Sequence, residues 1–355
     1  NQGFNWSKAR YELGNILTHL RQTDYHGNLM AHWRAGAWNG TLAVHYTLRR
    51  QLSSGTYPLY DGALENNDPS ASYEQEGRMH TPEFAAFAKR PLGNKLVLGL
   101  GGRFGRDATE KRTLLAAQTH LLYPINKRQS LTLAGGRYYQ LTYPRGGTLS
   151  LQYNRSYQLA LDWQYEHQRW TAQAAVYRHW ARWQNQDNTI YGAEGLLRYQ
   201  AYPFQFWLSA SHVSCSIEAD AAPFPTAFVF AYLLRAGGRC DLPAQFNLTG
   251  NWLLRQGQYF RPLTGRQWES TIDAYLPIFA EPSQGERLTA FQRVDIGLTK
   301  TILLEDSFLI AYLNINNVLN RSNLRAYAFD EDYSQVFPTL YSQRVWFVGV
   351  VYQWE

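Results

Sequence analysis

Carboxylates set among tyrosines are the groups in this chain best suited to chemistry. Between positions 58 and 80 stand Asp61, Glu65, Asp68, Glu74 and Glu76, with Tyr60 and Tyr73 among them. A second stretch carries Asp330, Glu331 and Asp332 between Tyr327 and Tyr333. Rings offer stacking surface and carboxylates orient a cation or a sugar-like solute, which makes Tyr60, Asp61 and Tyr73 candidate ligand contacts. Solvated loop charge accounts for the same residues without any ligand, and no EF-hand-like spacing is present. His32, His45, His120 and His179 stand at no metal-ligand spacing to one another, so no metal site is predicted. The sequence has no Gly-x-Ser-x-Gly elbow, phosphate-binding loop, His-Glu-x-x-His or Cys-x-x-Cys. The chain is therefore expected not to be an enzyme, and no cofactor is implied. The formal charge is +6, but arginines are spread along the chain rather than clustered, which argues against a nucleic-acid surface.

These groups must be held by strands. Leu309, Ala311, Leu313 and Ile315 alternate with Tyr312, Asn314 and Asn316, and period two puts the sets on opposite faces. Tyr157, Leu159, Leu161, Trp163 and Tyr165 alternate in the same way with Gln158, Ala160, Asp162, Gln164 and Glu166. Apolar outside and polar inside suits a barrel in lipid around a wet lumen. A soluble sheet could carry the same pattern with its faces reversed. The last strand favours the membrane, since Trp346, Val348, Val350, Tyr352 and Trp354 share one face at the chain's end. Tyr is the dominant aromatic, 25 copies beside 12 Trp, as interfacial girdles require. No apolar run reaches the roughly eighteen residues of a membrane helix.

About sixteen strands are predicted over residues 1–355, without linker or repeat. The first is expected at Tyr11 to Asp24, followed by a hairpin of Asn28 to Ala37 and Thr41 to Arg50 turning at Asn39-Gly40. Short turns alternate with longer connections, notably 51–82, 142–154, 216–227, 258–290 and 318–342, and this parity places the C-terminus on the short-turn side. Trp170 and Trp180 share a face. They lie roughly 33 Å apart along a strand, about 25 Å of height once tilted, and read as two girdles. Two buried core tryptophans are the rival reading, and Arg178 on their face must reach up to the interface. Cys215 and Cys240 are expected near opposite ends of neighbouring strands, beyond the roughly 7 Å reach of a disulfide, and so free. The chain starts Asn1-Gln2-Gly3, which suggests a removed signal or a fragment.

Three groups of residues carry a resemblance. They are Arg287 with Phe291-Gln292-Arg293-Val294-Asp295, then Asn316-Asn317-Val318-Leu319-Asn320-Arg321-Ser322-Asn323, then the aromatic last strand. In that order the C-terminal region resembles TonB-dependent outer-membrane receptors. Tyr138-Tyr139-Gln140 with Pro144, and Tyr191-Gly192-Ala193-Glu194-Gly195, resemble barrel-strand patterns of that family. The family usually ends on an aromatic residue, whereas here Trp354 is penultimate to Glu355.

The resemblance implies an all-β, transmembrane antiparallel barrel segment that forms part of a 22-stranded wall, with no plug domain in this chain. It implies TonB-energised uptake of a scarce solute, be it a metal chelate, haem, cobalamin, glycan or peptide. A passive sixteen-stranded porin-like channel is the alternative. The implied location is the outer membrane of a Gram-negative bacterium, C-terminus periplasmic. The implied partners are membrane lipid and lipopolysaccharide, a plug domain, TonB through that plug, a small-molecule or oligomeric substrate and a surface lipoprotein. Substrate would sit in the upper lumen, which selects His45, Arg49, Gln140, Tyr177, His179, Arg293 and Asn316 beside Tyr60, Asp61 and Tyr73.

Overall fold

A computed structural model describes residues 2–13, 16–58, 70–108, 111–142, 152–183, 186–218, 230–270, 273–281 and 284–354. The chain runs β1 (Gln2–Leu13), β2 (Ile16–Ala35), β3 (Trp38–Pro58), β4 (Ser70–Leu92), β5 (Leu96–Asp107), β6 (Arg112–Asn126) and β7 (Gln129–Thr142). It continues through β8 (Gln152–His167), β9 (Trp170–Trp183), β10 (Gln186–Ala201), β11 (Phe204–Glu218), β12 (Leu233–Leu242) and β13 (Phe246–Arg255). Two side hairpins follow. β14 (Tyr259–Phe260) pairs with β17 (Glu286–Arg287), and between them β15 (Leu263–Glu269) pairs with β16 (Ala274–Phe279). The chain returns as β18 (Phe291–Leu303) and β19 (Ser307–Asn316), makes a hairpin of β20 (Leu324–Phe329) and β21 (Val336–Leu340), and ends on β22 (Val345–Trp354).

Among the described residues, β1 to β13 with β18, β19 and β22 form one sixteen-stranded sheet in chain order. Each described ladder between neighbours is antiparallel, so consecutive strands need only a hairpin. In this sheet β1 pairs with β2 alone and β22 with β19 alone, which leaves two free edges.

The register sorts the side chains. Leu98, Leu121, Leu133, Leu161, Val176 and Ala193 lie side by side on β5 to β10. On the other face Asp162, Ala175, Glu194 and Ser211 line up across β8 to β11. The apolar face is bare: Leu29, Val44, Phe84, Phe104, Val176, Leu208 and Val348 are all exposed. Buried apolar residues among those described are Ala43, Leu114, Ala280, Leu288 and Phe291. A water-soluble sheet turns such a face into a core, whereas a sheet that leaves it outward needs lipid against it. Trp170 is 38% exposed, so the buried-core reading of that residue does not hold. No helix of the described residues is long and apolar enough to cross a membrane.

Several sequence expectations need correction. The first strand is not Tyr11 to Asp24. β1 ends at Leu13, and β2 runs unbroken through Asp24 to Ala35. The hairpin does not turn at Asn39-Gly40. The turn is Gly36-Ala37, where Gly36 adopts φ +55°, a conformation open to glycine at no steric cost. Gly40 is paired in the ladder against Trp33, and a Cβ there would lie 2.3 Å from the Trp33 ring. Its glycine makes room for a ring instead of turning the chain.

The span 51–82 is not one long loop. The ladder between β3 and β4 continues to Pro58 opposite Ser70, giving strands of 21 and 23 residues. A tilted membrane strand needs about ten, so both extend well past the bilayer. Spans 258–290 and 318–342 likewise fold as hairpins. Short connections at 36–37, 93–95, 127–128, 168–169, 202–203, 243–245 and 304–306 gather at one end of the sheet. The side hairpins stand at the other.

Candidate ligand-binding wall and loop canopy

The inward face of β2 to β5 carries the tightest polar cluster. Asp24 on β2 is 3% exposed. It accepts hydrogen bonds from Arg49 Nε at 2.8 Å and Nη2 at 3.2 Å, and from Gln22 Nε2 at 2.7 Å. Arg49 sits directly across from Asp24, one strand away. Two rungs down on the same face, His45 faces Asn28 on β2 and Glu83 on β4. Glu83 is buried and holds Arg103 through its Oε2, with Arg103 Nε at 2.9 Å. Its Oε1 accepts the Tyr139 hydroxyl at 2.6 Å, while the Arg103 guanidinium lies 4.9 Å from the Tyr139 ring centroid. Asp24 and Glu83 are thus each held by a guanidinium, as burial of a carboxylate requires.

The other expected residues fall into separate groups along the wall. Tyr73 lies on β4, not in a loop, with its hydroxyl 3.3 Å from Thr18 Oγ1 and 3.4 Å from Ser53 Oγ. Tyr177 and His179 share the inner face of β9, where Gly192 of β10 leaves space for the Tyr177 ring: a Cβ there would stand 2.1 Å from it. Gln140 is exposed near the end of β7. Arg293 on β18 is held by Asp295, Nε to Oδ1 at 2.7 Å and to Oδ2 at 2.9 Å. Asn316 closes β19. Tyr60 and Asp61 lie outside the described residues. The structure sets His45 and Arg49 two rungs apart on the inner face of β3, and Tyr177 and His179 one rung apart on β9, and does not join these pairs to Arg293 or Asn316.

The side hairpins form one canopy. Phe260 meets Tyr327 at 5.2 Å between ring centroids, and Phe279 meets Phe329 at 6.0 Å. Arg266 from β15 donates to the Asp332 carbonyl at 2.7 Å and to its carboxylate. Hydrogen bonding by Ser334, and then by Arg266, pushes the Asp332 carboxyl down to about 2. Below the canopy Arg255 packs over the rings of Phe230 at 4.4 Å and Phe291 at 4.8 Å, and donates to the Tyr341 hydroxyl at 3.1 Å.

The asparagines quoted from the sequence motif form the hairpin's base. Asn317 and Asn323 are 1% and 2% exposed. Asn317 Nδ2 donates to the carbonyls of Arg321 and Ser342, and its Oδ1 accepts the Arg321 amide. Asn323 bonds both backbone groups of Gln292, and Asp295 accepts the Asn317 amide at 2.8 Å. Sequence reading found this motif without its role. It missed Asp24, Glu83, Arg103 and Arg255 as wall and loop anchors, because their partners are remote in sequence: Tyr139 is 56 positions from Glu83.

A lipid-facing apolar belt, a polar inner wall and a canopy at one end define the wall of a transmembrane β-barrel. Solved structures agree. The chain is similar to the ferric yersiniabactin uptake receptor FyuA from Yersinia pestis (TM-score 0.66, 13% identity, covering 98% of this chain and 57% of that one). It is also similar to the ferric citrate transporter FecA (TM-score 0.66, 11% identity, 99% and 58%) and to the copper transporter OprC (TM-score 0.64, 12% identity, 94% and 57%). The fold is that of the barrel of TonB-dependent outer-membrane receptors, and the chain spans a little over half the length of these structures. No protein-family model and no curated protein matches the sequence.

Proposed function

We infer that the chain is barrel wall of an outer-membrane receptor that imports a scarce solute with energy supplied through TonB. The observation that carries this reading is the pairing of an apolar outer belt with a polar wall under a packed canopy. The three neighbours named above are described as transporting copper, ferric yersiniabactin and ferric citrate. A metal or metal chelate is accordingly the solute class this reading favours, received by the canopy and then by the upper wall with His45, Arg49, Tyr73, Gln140, Tyr177, His179, Arg293 and Asn316. The free edges of β1 and β22 weigh against a closed sixteen-stranded porin, which needs those two strands paired. Closing strands and a plug would come from another segment or a partner chain, and the C-terminus would face the periplasm.

The test is uptake. Cells lacking this protein are grown with metal chelates as the limiting source, with TonB present or deleted. Loss of growth on one chelate, reproduced by TonB deletion, is the expected result. Uptake that persists without TonB would sink the receptor reading and favour passive passage.

A further inference from the structure

Counted by register, Glu83 on β4 and Arg103 on β5 face the lumen with His45. The same count carries Tyr139 outward, because Leu133, Gly135 and Arg137 stand opposite Leu121, Thr119 and Ala117 on the apolar face. Yet the Tyr139 hydroxyl reaches Glu83 Oε1 at 2.6 Å, and its ring centroid lies 4.9 Å from the Arg103 guanidinium. Both hold only if β7 leaves the plane of β6 above Arg137 and laps over its lumen side. The ladders show the same break. Pairing of β6 with β7 stops at Ala117 opposite Arg137, while β5–β6 continues to Asp107 opposite Arg112 and β7–β8 to Thr142 opposite Gln152. On the lumen side of the lapped strands Asp107 and Leu114 are fully buried and Thr81 is 4% exposed. Burial so complete needs a second layer of chain over the sheet.

The two free stretches match. Continuing the register would pair Ala116 with Tyr138 and Arg112 with Thr142, and Arg112 and Thr142 are the ends of their strands. A zipped wall would satisfy backbone groups along both edges. The lapped wall forgoes them, and it leaves Arg137 Nε buried without a hydrogen-bond partner, a cost in itself. In exchange it gains the Tyr139–Glu83 bond, the Arg103 contact and the burial of Leu114. The two layers are not packed solid. A cavity of about 300 Å³ remains, lined by Ala43, Ala85, Phe87, Gly101, Tyr138 and Tyr139, so the dispersion contacts that hold the layers together are incomplete.

We propose that the upper end of β7, with β8 paired to it, is a hinged flap with two positions. Lapped, it is latched by Tyr139 on Glu83 and over Arg103, and it narrows the lumen beside β4 to β6. Zipped, it swings out into line with β6. Tyr139 then lies across from Leu115 on the apolar face, Gln140 lies across from Leu114, and the lumen widens. The hinge is the rung of Ala117 and Arg137, and Gly135 and Gly136 adjoin it, small residues that suit a change of backbone direction. Each position satisfies groups that the other leaves unpaired, which is what makes the element bistable.

Thr113 and Leu141 tell the two positions apart. Zipped, they stand directly opposite on the apolar face, within the roughly 7 Å reach of a disulfide. Lapped, β6 lies between them, since Thr113 is exposed on the outer side and β7 has crossed to the lumen side. The test uses the full chain in detergent carrying Thr113→Cys and Leu141→Cys, with Cys215→Ser and Cys240→Ser, under a mild oxidant. With the latch intact the disulfide should form slowly. Adding Tyr139→Phe removes the hydroxyl but leaves Glu83 paired with Arg103, and should speed the bond roughly tenfold. Equal rates with and without that hydroxyl would overturn the proposal, as would no bond in either protein. Should the cysteine variants fail to assemble, hydrogen exchange of the unaltered chain decides. Amides of Arg112 to Ala116 that point away from β5 should exchange faster than those of β8 to β10, whereas equal protection would mean that β6 has no free edge and that there is no flap.

Discussion

At the scale of single residues, the wall and the canopy use the same device, an acid held by an arginine from another strand. Arg49 holds Asp24 in the wall, and Arg266 holds Asp332 in the canopy. The canopy pair sets a pH expectation. The Asp332 carboxyl sits at about 2, below its ordinary 3.8. A lowered carboxylate stabilises the fold fully above its unfolded value, about pH 4, and that contribution is lost as pH falls through about 2. The Asp332 side-chain carbon signal should therefore titrate near 2. Arg266→Ala should raise its midpoint only part of the way towards 3.8, because Ser334 is the larger cause. A midpoint near 3.8 in the unaltered protein would mean that the latch between hairpins does not persist in solution. None of these pairs is legible in the sequence. Arg49 and Asp24 are 25 positions apart, and Arg266 and Asp332 are 66 apart, so only the register and the loop fold bring them together.

Elements fared differently. Period-two alternation made β8 and β19 readable, since one face is apolar and the other polar along most of their length. The sequence count of about sixteen strands matches the sheet for a less direct reason: β1 was missed while β2 was cut in two. Gly27-Asn28 resembles a turn locally, yet Gly27 pairs with Tyr46 in mid-ladder. The same competition between local propensity and ladder placed the turn at Asn39-Gly40 instead of Gly36-Ala37. The hairpin bases were equally hidden, because nothing in Asn317 to Asn323 signals burial. Asn317→Ala removes two donated bonds and one accepted bond at a buried position, and should cost about 1–3 kcal/mol locally. Hydrogen exchange should then speed up at the amides of Arg321 and Asn323 while β8 to β10 keep their protection. Unchanged exchange at Arg321 would show that the asparagine does not hold the hairpin base.

Across the whole molecule, the two edges of the sheet set the strongest demand. An edge strand in lipid leaves backbone N–H and C=O groups unsatisfied, each at a cost of several kcal/mol. β22 exposes Val348 and Val350 beside such an edge. On the proposed reading a further strand covers β22 in the native membrane, and its amides should then resist exchange as uniformly as those of β19. Alternate amides that exchange freely along β22 would mean that the sheet stands open. The fold class was legible because lipid imposes one pattern on the outer face of every strand. The site was not, because a polar wall looks alike along its whole circumference in one dimension, and Tyr73, Tyr177 and Arg293 differ only in which neighbours the register gives them.

The asparagine base has one more consequence. Asn317 and Asn323 fasten the last hairpin to β18 from beneath, using backbone groups of Gln292, Arg321 and Ser342. What lies between Leu324 and Leu340 takes no part in that fastening. Mutation can thus redraw the hairpin's tip, in length as well as in chemistry, and leave the barrel's registration untouched.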